Sequence, residues 1–156
     1  MRDVVDETMA LHSENSFFNA RLLIIDDDIG FIKILGSMLG EYPNQYFADS
    51  GLEGLRLARE IVPDLILLDF EMPGLGGADL GMILKSDPAL AAVPVIFITS
   101  HREVSVVTAT FQAGGKEFIT KPVSRSILLD RVRAQLLQER DSEHRARLDD
   151  SPTEIL

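Results

Sequence analysis

The chain has 156 residues, 46% of them hydrophobic and 26% charged, which is the balance of one globular domain with a proper core plus tails. It contains no cysteine, which excludes disulfides, thiolate nucleophiles and zinc-thiolate sites and suits a reducing compartment. The formal charge of -10 argues against direct nucleic-acid binding, because binding to phosphates needs clustered Lys and Arg.

The N-terminal residues 1–20 show no sustained hydrophobic period and are expected to form a loose or partly helical leader. Residues 1–14 lack the basic start and apolar run of a signal peptide, and no stretch approaches the roughly 20 apolar residues of a membrane span. We therefore expect a cytoplasmic protein without membrane insertion.

Short apolar runs follow from Arg21 onwards, separated by stretches long enough for helices. This alternation predicts an α/β fold with a parallel sheet, whose central strands are apolar on both faces because helices cover both. The first, third and fourth runs fit such central strands well. The runs are RLLIID (21–26), NQYFAD (44–49), DLILLD (64–69), VPVIFITS (93–100) and EFIT (117–120).

Helix signals lie between these runs. Ser50 with Glu53, and Ser100 with Glu103, have the S-x-x-E spacing of a capping box, so helices should begin beside both. The stretch VSVVTATF (104–111) is β-branched, and only its cap and its place in the alternation favour a marginal helix over a strand. The first helix should bury one face made of Phe31, Ile34, Leu35, Met38 and Leu39.

The last helix is expected to start near Ser124. Beyond it, residues 139–156 are charged and lack an apolar stripe, so they continue the helix into solvent, fray, or lead to a partner. The apolar positions of this helix are Leu128, Leu129, Val132, Leu136 and Leu137.

Residues that carry chemistry follow the predicted strands. The carboxyl ends of parallel strands face one edge of a sheet, and ligands bind there where the strand order reverses. Carboxylates, hydroxyls and an ammonium should therefore meet at one edge. The residues are Asp26, Asp27 and Asp28 after the first strand, Asp69 after the third, Thr99 and Ser100 after the fourth, and Lys121 after the fifth.

Carboxylates so close together raise one another's pKa and destabilise the fold unless cations neutralise them. Lys121 is one such cation, and a hard divalent ion is the natural second, since Mg²⁺ prefers a few carboxylates with open positions. The set suits phosphoryl transfer, in which positioning and charge neutralisation supply most of the catalysis. With no cysteine and no Ser-His arrangement, Asp69 is the best nucleophile, because a carboxylate can form an aspartyl phosphate.

Together these motifs resemble the receiver domain of two-component response regulators. The resemblance covers residues 21–138 and rests on the aspartate pair, LLDFEMPG (67–74), FITS (97–100) and EFITKP (117–122). It implies the flavodoxin-like fold of the chemotaxis response regulator, a single doubly wound five-stranded parallel sheet with the order 2-1-3-4-5.

The resemblance also implies roles at the acidic edge. Asp69 would be the phosphoacceptor, and Asp27, Asp69 and the backbone carbonyl of Glu71 would bind Mg²⁺. Asp26 would act on the metal through water. Lys121 would pair with oxygens of the acceptor or of the phosphoryl group.

A second group of residues would form the family's switch. The hydroxyl of Thr99 would move to the phosphoryl group on activation, while the ring of Phe118 turns inward. Phe118 stands where Tyr is common, so it has no hydroxyl to hydrogen-bond outward. Glu71 and His101 occupy variable positions beside the path of the attacking water, and our hypothesis is that they set the lifetime of the aspartyl phosphate.

The resemblance implies a phosphoacceptor signalling domain and not an enzyme, with only self-phosphorylation and aspartyl-phosphate hydrolysis expected. A sensor histidine kinase or phosphotransfer protein would donate the phosphoryl group. The face made by the fourth helix, fifth strand and fifth helix would signal to an output domain or downstream protein, and homodimers of the family use the same face. The C-terminal DDSPTEIL (149–156) faintly resembles the opening of diguanylate cyclase domains.

Two alternatives stay open at this point. A haloacid dehalogenase-type phosphatase also combines an aspartyl nucleophile with a hydroxyl, a Lys and Mg²⁺, and its acid-base Asp would stand where Glu71 is. A pseudo-receiver would bind partners without phosphorylation. Each residue also has a structural interpretation when taken alone, Asp28 as an N-cap and Asp69 as a turn former, so only the combination carries the inference.

Overall fold

The computed structural model describes residues 19–101 and 104–149. Within these ranges, five strands alternate with five helices, and every strand lies inside one of the predicted apolar runs. The elements are β1 Leu22–Ile25, α1 Ile29–Met38, β2 Gln45–Ala48, α2 Gly51–Ile61, β3 Leu65–Asp69, α3 Gly77–Ser86, β4 Val95–Thr99, α4 Val104–Gln112, β5 Glu117–Thr120 and α5 Arg125–Asp149.

The strands form one parallel sheet with the order β2-β1-β3-β4-β5, which confirms the predicted fold. The central strands β1, β3 and β4 are buried at every position, as their continuous apolar runs predict. Because all strands run the same way, their carboxyl ends meet at a single edge, which from here on is called the carboxyl edge.

Alternate side chains of each strand enter two separate cores, since successive residues of a strand point to opposite faces. Leu67 and Ile98 belong to the core beneath α1 and α5. Leu68 and Phe97 belong to the core beneath α2 and α3. Ala113, the residue after the end of α4, packs into the same core. Helices thus cover both faces of the sheet, and only its edges are open for a site.

The predicted buried face of α1 is wrong at one position. Ile34 is 51% exposed, whereas Ile32, which was not predicted, is buried with Leu35 and Leu39. At 3.6 residues per turn, Ile34 lies about 130° around the helix axis from the midpoint of these three buried side chains. The other predicted members of this face do pack on the core.

The apolar positions of α5 are not all buried. Leu128, Val132 and Leu136 are buried, but Leu137 is 44% exposed because it lies about 140° from that four-residue stripe. The helix continues through Asp149. Among the residues that the structure describes, no helix combines the length and the apolar content that crossing a membrane requires.

The helix starts follow their predicted signals where these can be seen. Ser50 caps α2, and its hydroxyl accepts the backbone N–H of Glu53 at 3.2 Å. The β-branched stretch that begins at Val104 is helical, as predicted from its place in the alternation. The Glu103 half of the second capping box, nearly all of the 1–20 leader and residues 150–156 lie outside the described residues.

Candidate functional site

An acidic cluster lies at the carboxyl edge between β1 and β3. Asp26 and Asp27 follow β1, Asp69 ends β3, and these two strands are hydrogen-bonded neighbours. Each of the three residues offers a carboxylate oxygen, and these oxygens all lie within 4.8 Å of one another. Asp26 and Asp69 are buried while Asp27 is exposed, so the cluster opens to solvent on one side.

Lys121, directly after β5, brings a cation to this cluster. Its Nζ lies 3.3 Å from Oδ2 of Asp26 and 3.8 Å from Oδ1 of Asp69. The same nitrogen lies 4.3 Å from the centroid of the Phe31 ring in the first turn of α1, a cation–π contact. Two carboxylates and an aromatic face therefore hold the ammonium in place. The sequence predicted Phe31 only as a core residue. Its position just after the aspartates was the signal that could have placed it near the acidic cluster.

Backbone donors orient the buried carboxylates. Oδ1 of Asp26 accepts the N–H of Asp28 at 2.8 Å, and Oδ1 of Asp69 accepts the N–H of Glu71 at 3.3 Å. Asp28 has a different task, because its own Oδ1 accepts the N–H of Phe31 at 3.2 Å and caps α1. The structural interpretation of Asp28 is thereby confirmed.

The electrostatics of the cluster leave negative charge uncompensated. Burial, and then the charge of Asp26, raise the pKa of Asp69 to about 7, although Lys121 acts in the opposite direction. One lysine does not balance three carboxylates. The donor set consists of carboxylate oxygens with one open side, which fits Mg²⁺, an ion that takes few protein ligands and keeps water or phosphate oxygens.

The structure places Thr99 at the carboxyl edge but not in the acidic cluster. Its buried hydroxyl accepts the N–H of His101 at 3.1 Å. Side chains alternate along a strand, so Thr99 points to the same face of the sheet as Phe97, the face covered by α2 and α3. Asp69 points to the same face as Leu67, which is the opposite one.

Glu71 and His101 meet at the carboxyl edge, on the β4 side of Asp69. Oε1 of Glu71 lies 2.5 Å from Nε2 of His101, and about half of each side chain is exposed. The pair joins the loop after β3 to the loop after β4. The sequence singled out both residues separately, but their direct contact was not predicted.

Phe118 lies on β5, opposite Phe97 of β4 in the strand register. Its half-buried ring packs against the ring of Phe111 in α4, edge to face, with centroids 6.2 Å apart. Phe111 itself is 51% exposed. The predicted switch ring therefore contacts a surface aromatic side chain, which sequence reasoning had not included in the site.

Comparison with known proteins assigns the family. The model of the response regulator receiver domain matches residues 22–133. The chain belongs to this family. This receiver domain is 35% identical to protein PilH of Pseudomonas aeruginosa over 118 residues, which are 75% of this chain and 98% of PilH.

Two further relatives show how far the likeness extends. The DNA-binding response regulator MtrA of Mycobacterium tuberculosis is 33% identical over 137 residues, 87% of this chain and 55% of MtrA. The receiver domain of a signal transduction histidine kinase from Syntrophus aciditrophicus is 27% identical, with a TM-score of 0.69 over 88% of this chain and 98% of that one. This chain thus spans about half the length of its MtrA relatives.

The family assignment makes the chain a receiver domain of two-component signalling, as the sequence motifs predicted. It favours this interpretation over the phosphatase of the haloacid dehalogenase type. Receiver domains are signalling domains, and an acidic cluster such as that of Asp26, Asp27 and Asp69 is where they bind Mg²⁺.

Proposed function

We propose that Asp69 accepts a phosphoryl group from a phosphohistidine of a sensor histidine kinase or phosphotransfer protein, in a step that requires Mg²⁺. The observation that carries this proposal is the buried carboxylate of Asp69 beside Asp26 and Asp27, with the Lys121 ammonium 3.8 Å away. The domain then acts as a phosphoacceptor whose own chemistry is limited to self-phosphorylation and hydrolysis of the product.

In the transfer step, an oxygen of Asp69 attacks the phosphorus atom. An O–P bond forms while the N–P bond to the donor imidazole breaks, and its electron pair stays on the imidazole nitrogen, which takes up a proton. Because the pKa of Asp69 is about 7 before any metal binds, a large share of the carboxylate is already ionised at neutral pH. Lys121, whose ammonium lies 3.8 Å from Asp69, would bind the phosphoryl oxygens as their charge develops.

Four groups of this chain would hold the metal ion: Asp27, Asp69, the backbone carbonyl of Glu71 and, through water, Asp26. Bound Mg²⁺ supplies positive charge that neutralises the phosphoryl oxygens and favours the ionised form of Asp69. The support is the all-oxygen donor set and its negative charge, which the single lysine leaves uncompensated.

Phosphorylation would be transmitted through Thr99 and Phe118. The Thr99 hydroxyl would exchange its bond with the N–H of His101 for a phosphoryl oxygen, and the Phe118 ring would turn inward, away from Phe111. This repacks the face of α4, β5 and α5, whose helix α4 has poor intrinsic helix propensity and shifts easily between two packings.

The same face would contact an output domain or a downstream protein, or a second copy of the chain. We propose a receiver domain over residues 21–138, from which residues 139–156 form an extension toward such an output. Residues 141–148 of α5 are exposed throughout, which leaves them accessible to a partner. Direct contact with nucleic acid would belong to that partner, since the chain carries a formal charge of -10.

Chemical mapping of the modified residue tests the proposed function. The protein is incubated with Mg²⁺ and acetyl phosphate and then reduced with borohydride, which converts an aspartyl phosphate into homoserine. We expect homoserine at position 69 and none in Asp69→Ala. Homoserine at Asp27 instead of Asp69 would contradict the assignment of the acceptor.

Removal of the Glu71–His101 pair is expected to shorten the lifetime of the aspartyl phosphate. The two side chains meet beside Asp69 at the carboxyl edge, where they would screen the path of the hydrolytic water. We expect His101→Ala and Glu71→Ala to lose the phosphoryl group roughly 3- to 10-fold faster, because water is excluded less well. The decay of the phosphorylated mass after removal of the donor measures this rate. His144→Ala, at an exposed histidine of α5, is the control, and unchanged decay in both site variants would disprove the hypothesis.

A further inference from the structure

The loop of residues 70–76, called the acceptor loop here, joins Asp69 to α3 and carries the carbonyl of Glu71. Two glycines border it. Gly77 is the first residue of α3, and Gly51 is the first residue of α2. Both helices approach the acceptor loop through these two positions.

The approach at both glycines is too close for any side chain. A Cβ atom on Gly77 would overlap the carbonyl oxygen of Asp69 and come within 2.7 Å of the Cα of Phe70. A Cβ atom on Gly51 would overlap the carbonyl oxygen of Leu75 and come within 2.9 Å of its Cβ. The obstacles are mostly backbone atoms, which cannot rotate aside as the end of a flexible side chain can.

Backbone conformation does not account for glycine at these two positions. Among the glycines of the described residues, only Gly74 and Gly114 have a positive φ. Gly51 and Gly77 adopt conformations that alanine also adopts, so the close approach alone requires a glycine there.

The segment beside Gly77 is fixed on several sides. The N–H of Gly77 donates to the carbonyl of Phe70 at 3.2 Å, and the N–H of Phe70 donates to the carbonyl of Ile98 in β4 at 2.9 Å. The Phe70 ring packs edge to face on Phe97, with centroids 5.7 Å apart. A displacement at Gly77 therefore acts directly on the main chain that carries Asp69.

We propose that Gly77, supported by Gly51, is a positioning residue that sets where the Asp69 carboxylate and the Glu71 carbonyl stand relative to Asp26. This inference rests on the proposed Mg²⁺ site. An alanine at position 77 moves the Asp69–Phe70 backbone by about 1 Å to reach an ordinary contact, and Mg²⁺ tolerates little departure from octahedral geometry. A misplacement of that size costs up to about 100-fold at a reacting centre.

Two other glycines provide matched controls. Gly76 lies in the acceptor loop with φ -74, and its added Cβ would meet only the carbonyl oxygen of Met72, at an ordinary 3.5 Å. Gly81 lies one turn further along α3, and its added Cβ would come within 2.7 Å of the Phe97 ring and 2.8 Å of the Ala113 carbonyl oxygen. Gly81→Ala therefore overpacks the same helix without a direct overlap with the acceptor loop, which it reaches only through the Phe97 ring that packs on Phe70.

The experiment measures the Kd for Mg²⁺ by calorimetry at a temperature where urea unfolding shows every variant to be folded. We expect Gly77→Ala to weaken binding roughly 10- to 100-fold and Gly51→Ala roughly 3- to 10-fold. Gly76→Ala and Gly81→Ala should stay within about 2-fold of wild type, although Gly81→Ala loses stability. Equal Mg²⁺ affinities for Gly77→Ala and Gly81→Ala would overturn the inference.

A readout without metal separates this inference from the proposed function. In metal-free protein, Gly77→Ala should shift the amide resonances of Phe70 and Glu71 and speed their hydrogen exchange. Gly76→Ala should change neither amide, and Gly81→Ala, which reaches Phe70 only through the Phe97 ring, should leave the amide of Glu71 unchanged. If wild type binds no Mg²⁺, the proposed metal site fails while the amide data still decide the positioning role. If Gly77→Ala does not fold, Gly51→Ala takes its place as the test variant. Unchanged amide resonances and an unchanged Kd for Mg²⁺ in Gly51→Ala would then overturn the inference.

Discussion

Replacement of Lys121 by methionine is expected to slow the phosphorylation of Asp69 by on the order of 100- to 1,000-fold, because it removes a preorganised cation aimed at the developing charge. Methionine keeps the apolar stem that packs beside Phe31 but leaves Asp26 without its ion pair at 3.3 Å. The rate is measured as the growth of the phosphorylated mass with acetyl phosphate and saturating Mg²⁺.

Lys116→Met is the matched control for this substitution. Lys116 is exposed and precedes β5, whereas Lys121 follows it, so the two lysines lie at opposite ends of the same strand. The control should phosphorylate at the wild-type rate. A Lys121→Met protein that is folded and phosphorylates within about 3-fold of wild type would show that the ammonium does not act on the phosphoryl group.

Replacement of Asp69 by asparagine is expected to stabilise the metal-free protein, and increasingly so as the pH rises. The folded state raises the pKa of this carboxyl from 3.8 to about 7, so the folded protein binds the proton more tightly than the unfolded chain does. The contribution of Asp69 to wild-type stability is therefore largest below pH 4 and is lost as the pH rises through 7. The asparagine variant lacks this loss, so it should be more stable at pH 8 by on the order of 2 to 4 kcal/mol.

Urea unfolding at pH 5 and pH 8 without divalent ions measures this difference. Asp130→Asn, at an exposed carboxylate of α5, should not change the pH dependence. Saturating Mg²⁺ should remove most of the advantage of Asp69→Asn, because the ion stabilises the charged wild-type carboxylate. An advantage of equal size at pH 5 and pH 8 would contradict a raised pKa as its cause.

The sheet could be predicted because its signals are local. Each apolar run is a strand, and the carboxyl ends of parallel strands necessarily meet, so Asp26, Asp27 and Asp69 could be placed together before any contact was known. The strand order and the switch roles of Thr99 and Phe118 came from resemblance to the receiver family. Spacing alone does not contain them.

The error in the predicted face of α1 has a simple geometric origin. Ile34 lies one residue from the buried side chain of Leu35, and apolar spacing in this short helix fits two overlapping stripes. The tertiary fold selects one of these stripes. The sequence holds no separate signal for which of them faces the sheet.

The contacts that the sequence did not reveal join segments far apart in the chain. The cation–π contact of Lys121 with Phe31 and the contact of the Glu71 carboxylate with the His101 ring depend on how loops cross the carboxyl edge. Gly77 appears in the sequence only as one glycine among several near a helix start. Its tight contact with the Asp69 backbone emerges only when α3 is packed in place.

Intact mass spectrometry after incubation with acetyl phosphate tests most directly whether Asp69 is a Mg²⁺-dependent phosphoacceptor. We predict that wild type gains the mass of one phosphoryl group with Mg²⁺ and none with excess chelator, and that Asp69→Ala gains none under either condition. Catalytic consumption of the donor without an adduct would favour a phosphatase, and a protein that neither gains mass nor consumes donor would be a pseudo-receiver. Either of these results, or an adduct that persists in Asp69→Ala, would contradict the account.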